Sequence, residues 1–352
     1  MHAPGETASE SAGTARPQSS IGIVGAGISG LTAARLLAER GLNVCVFEKA
    51  RGVGGRTSVR RARDLHFDHG AQYFTVHDER FRQRVAGWVD AGIVSEWHGR
   101  IVVIENGRVQ PSESQQRYVG VPAMNAITKH LADALSVTTR TRVTSMTRRG
   151  DQWLLHDDAD REFGHFDALI IALPAAQAAE LLNGLPRIAQ QVRACQLAPC
   201  WAVMAAFETR LEVPFDGAFV HGSPLTWIAR NNSKPGRPQS ECWVLHASSE
   251  WSAEHLEDAP ETVCAELLAA LGQAVGIGRA PTIHTAAHRW LYALPSAPLS
   301  VGCMWDDDAR VAVCGDWCQS ARVEGAFLSG LAAAERLIDR DVSRERIRSH
   351  ER

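Results

Sequence analysis

The sequence predicts an α/β protein in which a Rossmann-type dinucleotide-binding domain is interwoven with a smaller α+β domain. Three observations lead there. A strand–helix–strand unit carrying G-x-G-x-x-G occupies residues 20–48. Buried-strand patterns of the same kind return near residues 167 and 310, separated by unrelated material. The chain has 352 residues, more than one ordinary core organises.

Element by element, Ile21–Val24 is a short apolar strand that runs into Gly-Ala-Gly. Ile28–Arg40 has helical periodicity through Leu31, Ala34, Leu36 and Leu37, and Gly41 ends it. Asn43–Glu48 is the next strand. Val119–Leu135 reads as a loop and a helix. The stretch TRVTSMTRRGDQWLLHDD predicts two antiparallel strands turning at Gly150-Asp151. Asp167–Leu173 is a fully buried strand stopped by Pro174. Residues 176–284 mix helices and strands with many Trp and Pro. Arg310–Cys314 is a last buried strand, and Gly325–Ile338 a long helix.

Composition narrows the function classes. The net charge is -3, so no strong field argues for nucleic acid or an anionic membrane surface. The bases are nearly all arginine; only Lys49, Lys129 and Lys234 are lysines. No apolar run reaches transmembrane length, and the opening residues lack the apolar core of a secretory signal. Residues 1–19 are polar, rich in small side chains and expected to be disordered; 341–352 form a charged tail. Eight scattered cysteines show no paired zinc spacing, and a cytoplasmic location with reduced thiols is expected.

Gly25-Ala26-Gly27-Ile28-Ser29-Gly30 is the first functional motif. Gly25 permits the tight turn, Gly27 lets a pyrophosphate approach the backbone, and Gly30 lets helix and strand pack closely. The helix start offers unpaired N–H groups to the phosphates. Glu48 ends the second strand; its carboxylate can accept from an adenosine ribose and would repel a 2′-phosphate. A glycine-rich turn without ligand is the plain alternative, but strand, helix and acid are all in place. This motif does not separate NAD from FAD. The second one does: Gly54-Gly55-Arg56 follows the acid closely and supplies a further diphosphate cradle that a plain nicotinamide dehydrogenase does not need.

Those three features resemble the flavin amine oxidase superfamily. FDHGAQYF (67–74), RYVGVP (117–122), WIARNNSKPGRP (227–238) and HRWLYALP (288–295) narrow the likeness to the renalase branch and its bacterial relatives, over roughly residues 20 to 340. The resemblance implies a two-domain flavoprotein of the p-hydroxybenzoate-hydroxylase type with non-covalent FAD. Its FAD-binding domain would take 20–95, 117–175 and 285–340, and its substrate domain 96–116 and 176–284. By the same resemblance Arg56 contacts the cofactor, Gln72 and Tyr73 lie beside the flavin ring, Val143 meets the adenine, and Asp316 bonds the ribityl or phosphate groups. Ala26, Ser29, Lys49, Gly55, His69, Gly70, Ala71 and Val323 fall in the same stretches and join the cofactor set.

Reduction puts negative charge on one edge of the flavin, and a helix N-terminus stabilises it. Arg322–Ala326 supplies one, with Gly325 and Gly330 small enough for close approach. Cys314 and Cys318 are then bystanders: their spacing is wider than the C-x-x-C of a redox pair, and no further metal ligands stand out. No metal is expected; His284 and His288 would suit one only on a helix, and Thr282–Trp290 reads as a strand.

The renalase likeness implies a substrate, isomeric dihydronicotinamide dinucleotides (2- or 6-dihydroNAD(P)). The flavin takes the misplaced hydride to give NAD(P)+, and O2 reoxidises it with release of H2O2. Such chemistry needs stacking and a near-attack distance more than acids and bases. Tyr73, Trp290 and Tyr292 are the expected ring-flanking, catalytic residues, with core packing as the alternative for Trp290. Trp227, Arg230 and Asn231 are the expected substrate contacts, whereas Lys234 suits a solvated loop. Two departures from the wider amine oxidases count against amine oxidation: no lysine stands in a context matching the one near flavin N5, and Ala50 replaces a frequent arginine. An amine or protoporphyrinogen-type oxidase, or a flavin-binding sensor without turnover, are the alternatives.

Overall fold

A computed structural model describes residues 19–278 and 280–350, with only the backbone of 341–350. Most of the tail expected to be disordered, residues 1–18, lies outside the described residues, as do 351–352. Up to His350 the expected charged tail continues the last helix, Val323–His350.

The first lobe is built on a six-stranded sheet. Its order is Met304–Asp306, Val311–Val313, Ala168–Ile171, Ser20–Val24, Asn43–Phe47, Ser136–Thr138. All neighbours run parallel except the first pair. Such strands are buried on both faces and so read as continuous apolar runs. On one face Ile21, Ile23, Val46 and Ile170 pack under the helices Ile28–Glu39 and Val323–His350. On the other, Val24, Phe47, Leu169, Ile171 and Val313 meet Trp153, Ala178 and Ile188. Those partners come from a three-stranded antiparallel meander, Val143–Arg149, Gln152–Asp157 and Glu162–Phe166, and from the helices Ala175–Leu181 and Pro186–Arg193.

The second lobe is a seven-stranded sheet in the order Thr282–Pro295, Leu197–Phe207, Cys242–Ala247, Leu225–Arg230, Gly217–His221, Ile101–Glu105, Arg108–Pro111. The helix Pro260–Val275 covers it with Val263, Leu267 and Leu271. Proline at its first position and Gly276 in a left-handed cap (φ 71°) bound this helix.

Thr282–Pro295 pairs with Leu197–Phe207 from Phe207↔Thr282 to Leu197↔Pro295, so it belongs to the second sheet. The expected boundary at 285 therefore cuts through a strand, and the chain returns to the first sheet only with Met304–Asp306. The cause is non-local: pairing with a strand nearly ninety positions earlier decides where this segment lies. Likewise 176–193, expected in the substrate domain, pack against the first sheet.

Helix–helix contact in the first lobe depends on Gly330. A Cβ there would lie 2.1 Å from the Ser29 carbonyl oxygen. Gly330→Ala is expected to push the two helices apart and cost about 1–3 kcal/mol, read as a lower midpoint in urea at unchanged slope.

Candidate active site

Both glycine motifs converge. Gly25 has φ +107°, and a Cβ on it would meet the Ala172 carbonyl at 2.4 Å; one on Gly30 would meet the Gly25 carbonyl at 2.0 Å. These two positions are consumed by packing. Gly27 differs, since a Cβ there would meet nothing within 4 Å. Its open face stands over the first turn of Ile28–Glu39, whose N–H groups have no intrahelical acceptor. The second motif lies directly on the first. Gly54 donates to the Ala26 carbonyl (3.0 Å), and Gly55, at φ +53°, would place a Cβ 3.5 Å from the Gly27 Cα.

Glu48 is buried and accepts from the Ala26 N–H (2.9 Å) and the Ala50 N–H (2.8 Å). Each oxygen retains a second lone pair for a ribose hydroxyl. The chain after Ser136–Thr138 passes beside it, Glu48 donating to Thr138 and Thr141 to Glu48, which brings Val143 close. Lys49 is exposed.

Arg56 and Asp316, both expected on the cofactor, hold each other. The guanidinium donates to both carboxylate oxygens (2.8 and 2.6 Å) and to the Ala293 carbonyl (2.9 Å). The sheet register slips between Cys200↔Trp290 and Ala198↔Leu294, and this bulge presents Ala293 to Arg56. The bulge also separates Trp290 from Tyr292. Tyr292 lines a cleft of about 510 Å3 with Ala176, Arg193 and Cys195.

Trp290 instead stands beside His69. Their rings are 4.9 Å apart, and the indole N–H donates to the His69 carbonyl at 3.0 Å. His288 packs edge-on against both, at 4.8 and 4.4 Å. Burial, aided by His288 and Arg60, pushes His69 down to about 3; burial likewise pushes His246 down to about 4. Both are neutral at pH 7. The buried Nδ1 of His69 has no protein partner. The next residues hold position through backbone contacts: Ala71 donates to the Arg56 carbonyl, and Gly70 packs on it.

Val323 begins the last helix and Gly325 is in its first turn. Packing by itself requires glycine at 325, because a Cβ there would strike the Ser320 carbonyl oxygen. Neighbouring Glu324 accepts from the His77 and Asp78 N–H groups at 2.6 and 2.8 Å and ties that loop to the helix start. Cys314 and Cys318 are buried, and burial pushes their thiols far up, Cys314 to about 12. Among the described residues the three that come near one another as metal ligands, His255, Asp258 and Glu266, lie elsewhere, on the second lobe.

On the substrate side Trp227 meets Tyr73 at 5.3 Å, with Trp97 6.2 Å from Tyr73. Arg230 is turned inward. Its guanidinium commits four of its five N–H donors, to Glu241, Asp216 and the Phe215 and Leu211 carbonyls, beside the Trp243 ring and out of reach of solvent. Asn231 is also a pin, donating to the His66 carbonyl and accepting from Asp68 N–H and Lys234. Lys234, expected in solvent, is 2 % exposed. It donates to Gln72 (3.0 Å), Asn231 (3.2 Å) and Asp68 (3.4 Å), and lies over Trp97. Burial lowers it to about 8 despite Asp68. Asp68 also takes Arg237 at 2.7 Å and the Met124 N–H at 3.0 Å. Burial works against its charge, but Lys234 and Arg237 outweigh this and hold the carboxyl below its ordinary value. Sequence reasoning missed this network. Its members stand in quoted motifs, FDHG and KPGR, but 166 and 169 residues apart.

An adjoining double glycine cradle, an open helix N-terminus, a ribose acceptor and an aromatic wall with an unmatched imidazole nitrogen fit a flavin dinucleotide. Comparison with known proteins agrees. Residues 23–87 match the NAD(P)-binding Rossmann-like domain, and 86–338 match the flavin containing amine oxidoreductase family. The protein belongs to that family: it is a flavin-dependent oxidoreductase, and its cofactor is FAD. Solved structures share the fold at low identity. One from Exiguobacterium sp. 255-15, assigned as a protoporphyrinogen oxidase, has a TM-score of 0.73 at 12% identity and covers 91% of this chain and 99% of its own. Wild-type putrescine oxidase bound to putrescine has a TM-score of 0.70 at 15% identity, covering 92% and 99%.

Two outcomes test the site. Gly27→Ala adds a methyl into open space and is expected to leave the melting temperature of the flavin-free protein unchanged while FAD affinity falls at least about tenfold, by flavin fluorescence titration. Second, the unfolded chain takes up protons on His69 and His246 below about pH 6.5, while the folded chain refuses them down to about 3 and 4. Stability therefore falls as pH falls, by about 2 kcal/mol per histidine between pH 6.5 and 5. Denaturation across that range checks the slope, which His69→Phe should flatten.

Proposed function

We propose that this protein is a renalase-like FAD-dependent oxidase that removes a hydride from 2- or 6-dihydroNAD(P), yielding NAD(P)+, with O2 taking up the electrons as H2O2. Bound FAD, held non-covalently, supplies the hydride-accepting ring. The protein's part is to stack, orient and exclude water. His69 and Trp290 provide one aromatic wall, and Tyr73, Trp227 and Trp97 another. The imidazoles are uncharged, and Asp68 and Asp316 are each engaged by guanidinium groups. Gly27, Glu48, Gly55 and the start of the last helix at Val323 are assigned to the dinucleotide. Arg56 and Asp316 act as one clamp rather than as two separate ligands.

The observation that carries the substrate reading is buried charge. Arg117, Lys234 and Arg237 are buried around these rings against the single carboxylate of Asp68, an excess of positive charge. That field suits a flat substrate bearing phosphates and opposes a polyamine. Amine oxidation has one observation in its favour. Lys234 is buried beside Gln72, so the argument from a missing lysine loses its force. A porphyrinogen, with its carboxylates, would also answer the positive charge.

All eight cysteines are free, and no helix among the described residues is long and apolar enough to cross a membrane; we place the protein in the cytoplasm.

Anaerobic mixing of the yellow holoenzyme separates the readings. Rapid bleaching by 2- or 6-dihydroNAD(P), with colour and H2O2 returning when O2 is admitted, is expected. Bleaching by putrescine or protoporphyrinogen alone would replace this reading, and no bleaching by any of them would indicate a binding module. Heat denaturation should leave all the flavin in the supernatant.

A further inference from the structure

Three arginines are buried among the described residues, and two are answered. Arg230 has Glu241 and Asp216; Arg237 has Asp68. Arg117 is 7 % exposed and has no carboxylate partner among the described residues. It donates once, to the Gln115 carbonyl at 3.0 Å, and its Nε is unpartnered. Its guanidinium carbon lies 5.3 Å from the centre of the Tyr73 ring. Glu96, on the neighbouring strand, is engaged by Gln116 and His98.

Trp227 makes a second unmatched donor at the same ring. It is 6 % exposed, packs 5.3 Å from Tyr73 and 4.7 Å from Phe219, and its indole N–H has no partner. Neighbouring Trp97, by contrast, donates to Ser233 at 3.2 Å. A buried cation without a counter-charge costs several kcal/mol, and a buried N–H without an acceptor about 1–3 kcal/mol. Two such costs meeting at one aromatic ring in a ligand site point to a group that the protein itself does not supply.

We propose that Arg117 and Trp227, flanking Tyr73, form an anion subsite that grips a carboxylate or phosphate oxygen of a flat substrate and selects anionic over cationic substrates. The planar guanidinium suits either oxyanion, and the indole N–H adds a directed bond. The inference rests on the proposed reaction for the identity of the ring that carries the anion, but not for the anion itself.

The test is equilibrium titration of the full-length holoenzyme, followed by protein and flavin fluorescence, with three unreactive probes. Nicotinamide mononucleotide carries a phosphate, nicotinate a carboxylate, and nicotinamide neither. One or both anions are expected to bind at least about tenfold more tightly than nicotinamide, and which one does so identifies the oxyanion. Arg117→Met should abolish that preference, leave nicotinamide within about twofold, and keep or raise the melting temperature, because it removes an uncompensated charge. Trp227→Phe, which keeps the ring and loses the N–H, should weaken the anions several-fold. Unchanged anion affinity in Arg117→Met, an equal loss for nicotinamide, or a lower melting temperature would each overturn the subsite in favour of a structural arginine. Should the Met variant not fold, Arg117→Gln carries the same binding expectations. An enzyme that bleaches with a porphyrinogen and not with 2- or 6-dihydroNAD(P), yet loses anion preference on substitution of Arg117, would overturn the proposed reaction and leave the subsite standing; bleaching by putrescine would overturn both.

Discussion

The carboxylate of Asp68 is the point on which the two lobes meet. It is buried and takes Arg237 and Lys234 from the loop after Leu225–Arg230, together with the Met124 N–H from a third segment. Removing such a charge from water is costly, and only full pairing repays it. All of these partners are present only when the segments around residues 68, 124 and 234 come together. The network therefore specifies one mutual arrangement of the lobes more than it adds stability. Gln72 hangs from the same network through Lys234 and the Asp68 carbonyl, so the interlobe ion cluster also sets the segment that carries Tyr73.

A second constraint is close approach of backbones. Gly25, Gly30 and Gly330 each stand where a methyl would strike a carbonyl oxygen. Together they draw the first strand, the first helix and the last helix into a layer too tight for any side chain. Arg56 and Asp316 then lock this layer across 260 positions of sequence. Within the first glycine motif Gly27 differs, with open space where its Cβ would stand. The contrast separates the glycines that packing requires from one that packing leaves unexplained.

The site facing that layer is chemically spare. His69 and His246 are neutral, and the carboxylates of Asp68 and Asp316 are paired with cations. What it offers is aromatic surface and uncompensated positive charge, an environment for binding and orienting a ring more than for moving protons.

The sequence by itself determined the nucleotide half. The strand–helix–strand unit, both glycine motifs, Glu48, the meander turning near Gly150 and the last strand and helix are all local patterns, and local patterns survive in one dimension. Only the tertiary structure decided the rest. That Arg230 faces inward, that Lys234 is buried, that Trp290 and Tyr292 part company at a bulge, and that Thr282–Pro295 joins the second sheet all depend on partners tens to hundreds of residues away. No spacing rule encodes such partners. A charged side chain in a Pro- and Gly-rich loop reads as solvated until a buried carboxylate 166 residues earlier is brought beside it, and desolvation then decides its state.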